Sequence, residues 1–148
     1  MKEFAIGVLY ALVATFGFSL VFQVDLRHLP WAALGGAVEW ATYLVAFHFW
    51  DDVFLATLIA SAVATFYSET CASLRRTPAT VFLLPSLIPL VPGGSLYYTM
   101  SYLISSDYSQ AYNYGMSTVY VVLGIAGGVV TASLIVYAIR SFKAKKIK

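Results

Sequence analysis

Charge is what this sequence has least of. Only 11% of its 148 residues are Asp, Glu, Lys or Arg, whereas 60% are hydrophobic; a soluble domain of this size is nearer a quarter charged. Too few polar groups exist to cover the surface of a water-soluble globule, which predicts an integral membrane protein. No hydrophilic stretch is long enough for a separate soluble domain, so residues 1–148 are expected to form a single transmembrane domain. Cysteine is almost absent too. Cys71, having no second cysteine, excludes an intrachain disulfide and a Cys-based metal site, and it is expected to be small helix filler. There is no His cluster, no Gly-x-Ser-x-Gly, no helical His-Glu-x-x-His and no pair of aspartates in facing spans. Metal chemistry and nucleophilic catalysis therefore lack their constellations, and no enzymatic activity, cofactor or metal is expected.

What the chain has is a series of apolar runs, at about 4–24, 30–50, 53–72, 79–104 and 114–139. Crossing a bilayer takes roughly 20 residues of helix, so the expected fold is an all-α polytopic membrane protein with five transmembrane segments. The first run resembles a signal peptide only superficially. It is longer than a signal core and has no small-x-small cleavage site before Asp25, so it reads as a retained span. Pro30 opens the second span as a first-turn proline. Gly17 and Ser19 in the first span, and some of Gly124, Gly127 and Gly128 in the last, are expected on close-packed helix faces. Residues 105–110 read as a polar loop, and His28 and His48 as interfacial residues.

The few charges segregate. Arg27, Arg75, Arg76, Arg140, Lys143, Lys145, Lys146 and Lys148 fall on one side of such a bundle; Asp51, Asp52 and Asp107 fall on the other. By the positive-inside rule the basic side is cytoplasmic, which puts the N-terminus outside and the C-terminus inside the bacterial inner membrane. The expected electrostatic partner of the basic tail is anionic lipid, not nucleic acid.

The fourth run breaks the pattern. It contains Leu84-Pro85-Ser86-Leu87-Ile88-Pro89-Leu90-Val91-Pro92-Gly93-Gly94-Ser95. Each proline removes an N–H and presses on the carbonyl one turn back, and the diglycine adds the residues with least helix preference after proline itself. The predicted result is a helix interrupted near mid-membrane, where irregular backbone is tolerated only if buried in protein or lining a polar cavity. A short helix restarting at Ser95, partly capped by that residue, would aim free N–H groups inward at a carboxylate. Carbonyls unpaired by Pro89 and Pro92 would suit an ammonium or cation. Pro89, Pro92, Gly93, Gly94, Ser95, Tyr97 and Tyr98 are the candidate substrate-binding residues; a proline-kinked packing helix is the alternative.

Two carboxylates are candidates for ion coupling. Glu39 lies deep in the second span, where an ionised group must be paired, protonated or turned inward; it serves either a substrate, cation or proton, or merely packing. Glu69 lies near an interface, and ordinary pairing with Arg75 and Arg76 is the simpler expectation.

Pro78-Ala79-Thr80, Ile88-Pro89-Leu90-Val91-Pro92-Gly93 and the nearby Tyr97 resemble the signature of the smaller, five-span half of the bacterial threonine/serine exporter family. Gly17-Phe18-x-x-x-Phe22-Gln23-Val24, Gly35, and Ser68-Glu69 through Arg75-Arg76 are similar to the same pattern, so the resemblance covers most of the chain. Several family sequences carry asparagine where this one has Gln23, which keeps the amide. The resemblance implies a small subunit of a secondary transporter exporting threonine and serine, or a related small carboxylate such as succinate. It also implies a larger membrane subunit as partner, because that half is absent here. A non-transporting membrane assembly or scaffold subunit is the competing expectation.

Overall fold

The computed structural model describes residues 2–145; Lys146 and Lys148 of the basic tail lie outside the described residues. These residues form α1 (Lys2–Val21), α2 (Leu29–Trp50), α3 (Val53–Arg75), α4 (Thr80–Ser86), a 3₁₀ turn (Ile88–Leu90), α5 (Gly93–Ile104) and α6 (Tyr108–Lys145), with no strand among them. Helices α1, α3 and α6 are each long and apolar enough to cross a membrane. The stretch Thr80–Leu90 and α5, bent by 46° at their junction, make a fourth when taken together. At 22 residues α2 has the length, but its Trp, Tyr, His and Gly residues and Glu39 dilute its apolar character.

Short polar signals set the helix ends. Asp51 stops α2 in the left-handed region, at φ 49°, and the carboxylate of Asp52 then caps α3 by accepting the Leu55 N–H at 3.0 Å. Asp107 does the same for α6, accepting the Gln110 N–H at 3.2 Å. With that cap at Asp107, the polar loop expected over 105–110 shrinks to a turn and the last helix starts at Tyr108.

Side-chain pairings fix how the helices run. Tyr67 donates to the Trp31 carbonyl at 2.8 Å, as antiparallel α2 and α3 require. Gly124 sits against Thr57, Gly128 against Ser61, and Arg140 against Ser73, so α3 and α6 run parallel in a constant register. Ala56, Ala60 and Ala64 are wholly buried along α3. Their small side chains bring neighbouring backbones together, and Ser61 donates across the gap to the Gly124 carbonyl at 3.3 Å. The expectation of a close-packed glycine face thus holds at Gly124 and Gly128. It does not hold at Gly17, where an added Cβ would touch nothing; in α1 the close contacts are Gly7 with Trp40 and, across from it, Thr15 with Gly36 of α2.

The register also fixes relative depth. α6 has 38 residues against 23 in α3, so at ~1.5 Å per residue it is roughly 20 Å longer. Most of the excess lies before Gly124, beyond the Asp52 end of α3. There α5 packs antiparallel to it, with Tyr98 and Tyr102 against Tyr114 and Thr99 beside Gly115. Arg75, Arg76 and Arg140 gather at one end of the bundle, and Asp51 and Asp52 at the other.

Candidate functional site

Three prolines and a diglycine shape the chain between α4 and α5. Pro85 lies within α4, whose last residue, Ser86, turns its hydroxyl back to the Phe82 carbonyl at 2.7 Å. After the 3₁₀ turn, Val91 is extended and Pro92 stands at the cap position of α5 with no side chain capping that helix. The Gly93 N–H goes to the Val91 carbonyl at 2.8 Å and the Leu96 N–H to the Pro92 carbonyl at 3.0 Å. Between them, the amides of Gly94 and Ser95 find no acceptor among the described residues. The expected Ser95 cap is therefore not formed: Ser95 sits inside the first turn, past the position from which a side chain reaches back over the helix start.

A cavity of about 290 Å³ opens beside this break. Pro89, Pro92, Gly94 and Ser95 line it on one side. Trp40 and Tyr43 of α2, stacked at 5.3 Å, Thr57 of α3 and Ser117 of α6 line the other. Its lining thus combines four hydroxyl-bearing side chains, those of Tyr43, Thr57, Ser95 and Ser117, with an aromatic surface and the two residues whose amides are free, enough polar groups to orient a small ligand and enough apolar area to bury it.

Of the sequence-derived site residues, the structure brings Pro89, Pro92, Gly94 and Ser95 to this cavity and leaves Tyr97 and Tyr98 away from it. Tyr97 is 69% exposed and packs edge-on to Tyr98, which stacks along α6 instead. Gly93 starts α5, and neither it nor Gly94 has any atom within 4 Å of where a Cβ would stand. Both have negative φ, so nothing in the chain's own packing or backbone demands glycine there. Because Val53 and Thr57 share the cavity, the break lies level with the first turns of α3 and, through Trp40 and Tyr43, with the middle of α2. Trp40, Tyr43, Thr57 and Ser117 are the wall residues that sequence reasoning did not assign to the site. Trp40 and Tyr43 had one signal, the polar and aromatic cluster around Glu39; Thr57 and Ser117 had none.

Glu39 is fully buried, and neither carboxylate oxygen has a hydrogen-bond partner among the described residues. It lies one turn beyond Gly35 and Gly36, which abut Ser86 of α4 and Thr15 of α1, so it shares their inward face. The Thr15 hydroxyl, equally buried, is unpartnered as well. An ionised carboxylate placed unpaired in such surroundings costs several kcal/mol.

Glu69 does not pair with Arg75 or Arg76. Its carboxylate meets Arg140 of α6 at 2.8 Å, and the same guanidinium donates to Ser73 at 2.9 Å. Arg75 lies six positions along the same helix, on a different face, and its guanidinium covers the Trp31 ring at 4.6 Å. The Glu69–Arg140 pair, half-exposed at its arginine, fastens the basic ends of α3 and α6 together.

A family sequence model described as "Threonine/Serine exporter, ThrE" matches residues 7–135, which include both the break and Glu39. An uncharacterized protein of Haemophilus influenzae is 25% identical over 117 residues, a stretch that makes up 79% of this chain. The same stretch is 38% of that relative, so the chain spans well under half of its length. No solved structure matches the chain.

Proposed function

The chain belongs to the threonine/serine exporter family, and from this we propose that it is the substrate-binding, five-span half of a secondary transporter that carries threonine or serine out of the cell. In this reading α1, α2, α3, the bent α4–α5 segment and α6 are the spans, and together they form one transmembrane domain. The Arg75–Arg140 end faces the cytoplasm and the Asp51–Asp52 end faces outward. The membrane is the bacterial inner membrane, and the partner is a larger membrane subunit of the same family, in keeping with the relative's greater length.

The observation that carries the proposal is the cavity at the break, lined by Gly94 and Ser95, whose amides have no acceptor among the described residues, and by Tyr43, Thr57 and Ser117. The start of a half-helix attracts a carboxylate, hydroxyls suit the side chain of threonine or serine, and free carbonyls near Pro89 suit the ammonium. A dicarboxylate such as succinate is the second ligand class this site would accept. Glu39, buried on the helix that supplies Trp40 and Tyr43, carries the coupling proton or cation; Glu69, tied to Arg140, holds structure.

Two experiments test this. Vesicles holding the chain with its co-purifying larger subunit are expected to release labelled threonine or serine along an imposed ion gradient; no release of either, nor of succinate, overturns the proposal. In a Cys71→Ala background, Asp52→Cys and Arg76→Cys are expected to react with an impermeant reagent from opposite faces of the membrane. Labelling of both from the same face overturns the five-span topology.

A further inference from the structure

Helix α5 runs out of the layer that the longer helices share. At 23 residues α3 is roughly 34 Å long, close to the ~30 Å of a hydrocarbon core. Asp51 and Asp52 mark one of its ends, Arg75 and Arg76 the other. Its first turn, where Phe54 and Thr57 meet Gly124, therefore marks one edge of that core. Thr99 of α5 lies beside Gly115, nine residues before Gly124 and so roughly 13 Å farther out along α6. Ile104 stands another five residues on, roughly 7 Å beyond Thr99. Headgroups add only about 5–8 Å to each side of the core. The outer half of α5 thus rises above the lipid.

That half is not dressed for water. Leu96, Met100 and Leu103 recur at i, i+4 and i+7, which sets them in one stripe, and all three are exposed; Ile104 beside them is 87% exposed. The opposite side of the helix is taken, with Tyr98 and Tyr102 against Tyr114 and Thr99 beside Gly115. An apolar stripe standing clear of both its own bundle and the headgroups calls for a protein neighbour. Two features of α5 select it. The spacing is that of the seam between two parallel helices. The helix also has no Asp, Glu, Lys or Arg, so two identical copies can meet along it without like-charge repulsion. Copies inserted with the same orientation raise their α5 helices on the same face of the membrane, side by side. We infer that this stripe docks on the α5 of a second copy of the chain, as a parallel pair about a twofold axis along the membrane normal. In such an isologous contact Met100 meets its own counterpart, and so does Leu103. The inference goes beyond the exporter reading and rests only on α3 and α6 spanning the membrane.

The test uses the full chain with its co-purifying subunit in native membranes. In a Cys71→Ala background, Met100→Cys and Leu103→Cys are expected to give a disulfide-linked pair of chains with copper phenanthroline roughly tenfold faster than Ser101→Cys, because only facing Cβ atoms come close enough to bridge. Ser101 is exposed at the same depth but lies about 100° round the helix from Met100. Equal rates at the three positions overturn the seam. No linked pair at Met100 or Leu103, or a product carrying the larger subunit in place of a second copy, overturns the choice of partner. Native mass spectrometry supplies an independent reading. Leu103→Asp, which sets like charges against each other on the axis, is expected to halve the number of copies in the purified assembly, while Ser101→Asp leaves it unchanged. An unchanged assembly with Leu103→Asp counts against the pairing. Pairing that follows the expected pattern in a preparation unable to transport threonine leaves this inference standing and tells against the exporter reading alone.

Discussion

On one side of Pro92, Phe82, Pro85, Ser86 and Leu90 are buried among α1, α2 and α3; on the other, no residue of α5 is buried, and Leu96, Met100 and Leu103 stand exposed. Both arms are apolar, so composition does not separate them. Their partners do. The α4 arm enters a groove already floored by the small residues of α2 and α3, whereas the α5 arm rises past the end of α3 and finds only the overhanging start of α6. An apolar sequence is thus a request for a non-aqueous neighbour, and which neighbour answers depends on where the break leaves the chain.

The sharpest way to break this contrast is to fill a glycine on each side. A Cβ at Gly35 runs into the Ser86 hydroxyl and crowds Tyr67, whereas at Gly94 it meets nothing. Gly35→Val is expected to unseat α4 and abolish monodisperse protein in size-exclusion chromatography. Gly94→Val is expected to fold with a melting temperature within about 3 °C of the parent, yet to lose transport, because its side chain enters the cavity beside the free amides. If Gly94→Val transports normally, the break is a hinge and not a binding site.

Cavity-forming changes sharpen the same comparison with a smaller effect. Phe82, fully buried against Ala32, Cys71 and Ala72, is expected to cost ~3–5 kcal/mol when changed to Ala. Leu96→Ala in α5 is expected to stay within about 0.5 kcal/mol. Unfolding in detergent checks both. A large loss for Leu96→Ala in the isolated chain, with its face unpartnered, would mean that α5 is packed more deeply than its exposure indicates.

The all-helical class and the apolar spans at α1, α3 and α6 were legible in the sequence because spanning length is a local property. The run at 53–72 became α3 with three residues added, and the Pro/Gly stretch marked the interruption. Depth was not legible. That the break lies level with Val53 follows from the α3–α6 register, set by Gly124 and Gly128 against Thr57 and Ser61, and a single run cannot announce the register of two others. The same limit hid the pairing of Glu69 with Arg140, which are far apart in sequence, and left Thr57 and Ser117 unread as cavity walls. Gln23 shows the opposite case. It sits at φ 55°, a left-handed position where asparagine is several-fold favoured over most residues, so the backbone here accepts an amide side chain one methylene shorter.

Glu39 tests whether the buried arm's surroundings do more than pack. Glu39→Gln keeps the shape and removes the ionisable group, and since the carboxylate has no partner to lose, folding is expected to be unchanged or slightly improved. Transport in vesicles is expected to fall about tenfold or more, with its pH dependence flattened, because a group that carries a proton or cation across a barrier cannot be replaced by an amide. Wild-type transport with an unchanged pH profile would return Glu39 to a packing role.

The smallest expected effect is at Ser95, and it separates a site made of backbone from one made of side chains. Ser95 lines the cavity but does not cap α5, so Ser95→Ala forfeits no intrachain cap and is expected to change stability by less than about 0.5 kcal/mol. Its amide remains, as does that of Gly94. If these amides hold the substrate's carboxylate, threonine transport in Ser95→Ala should stay within about threefold of the parent, the scale of a weak neutral hydrogen bond. Threonine amide, whose carboxylate is replaced by a neutral group, should compete poorly with both proteins, since it brings no full charge to the positive end of the half-helix. Strong loss in Ser95→Ala with equal competition by the amide would assign recognition to the hydroxyl and remove the electrostatic reason for a helix that starts at Gly93.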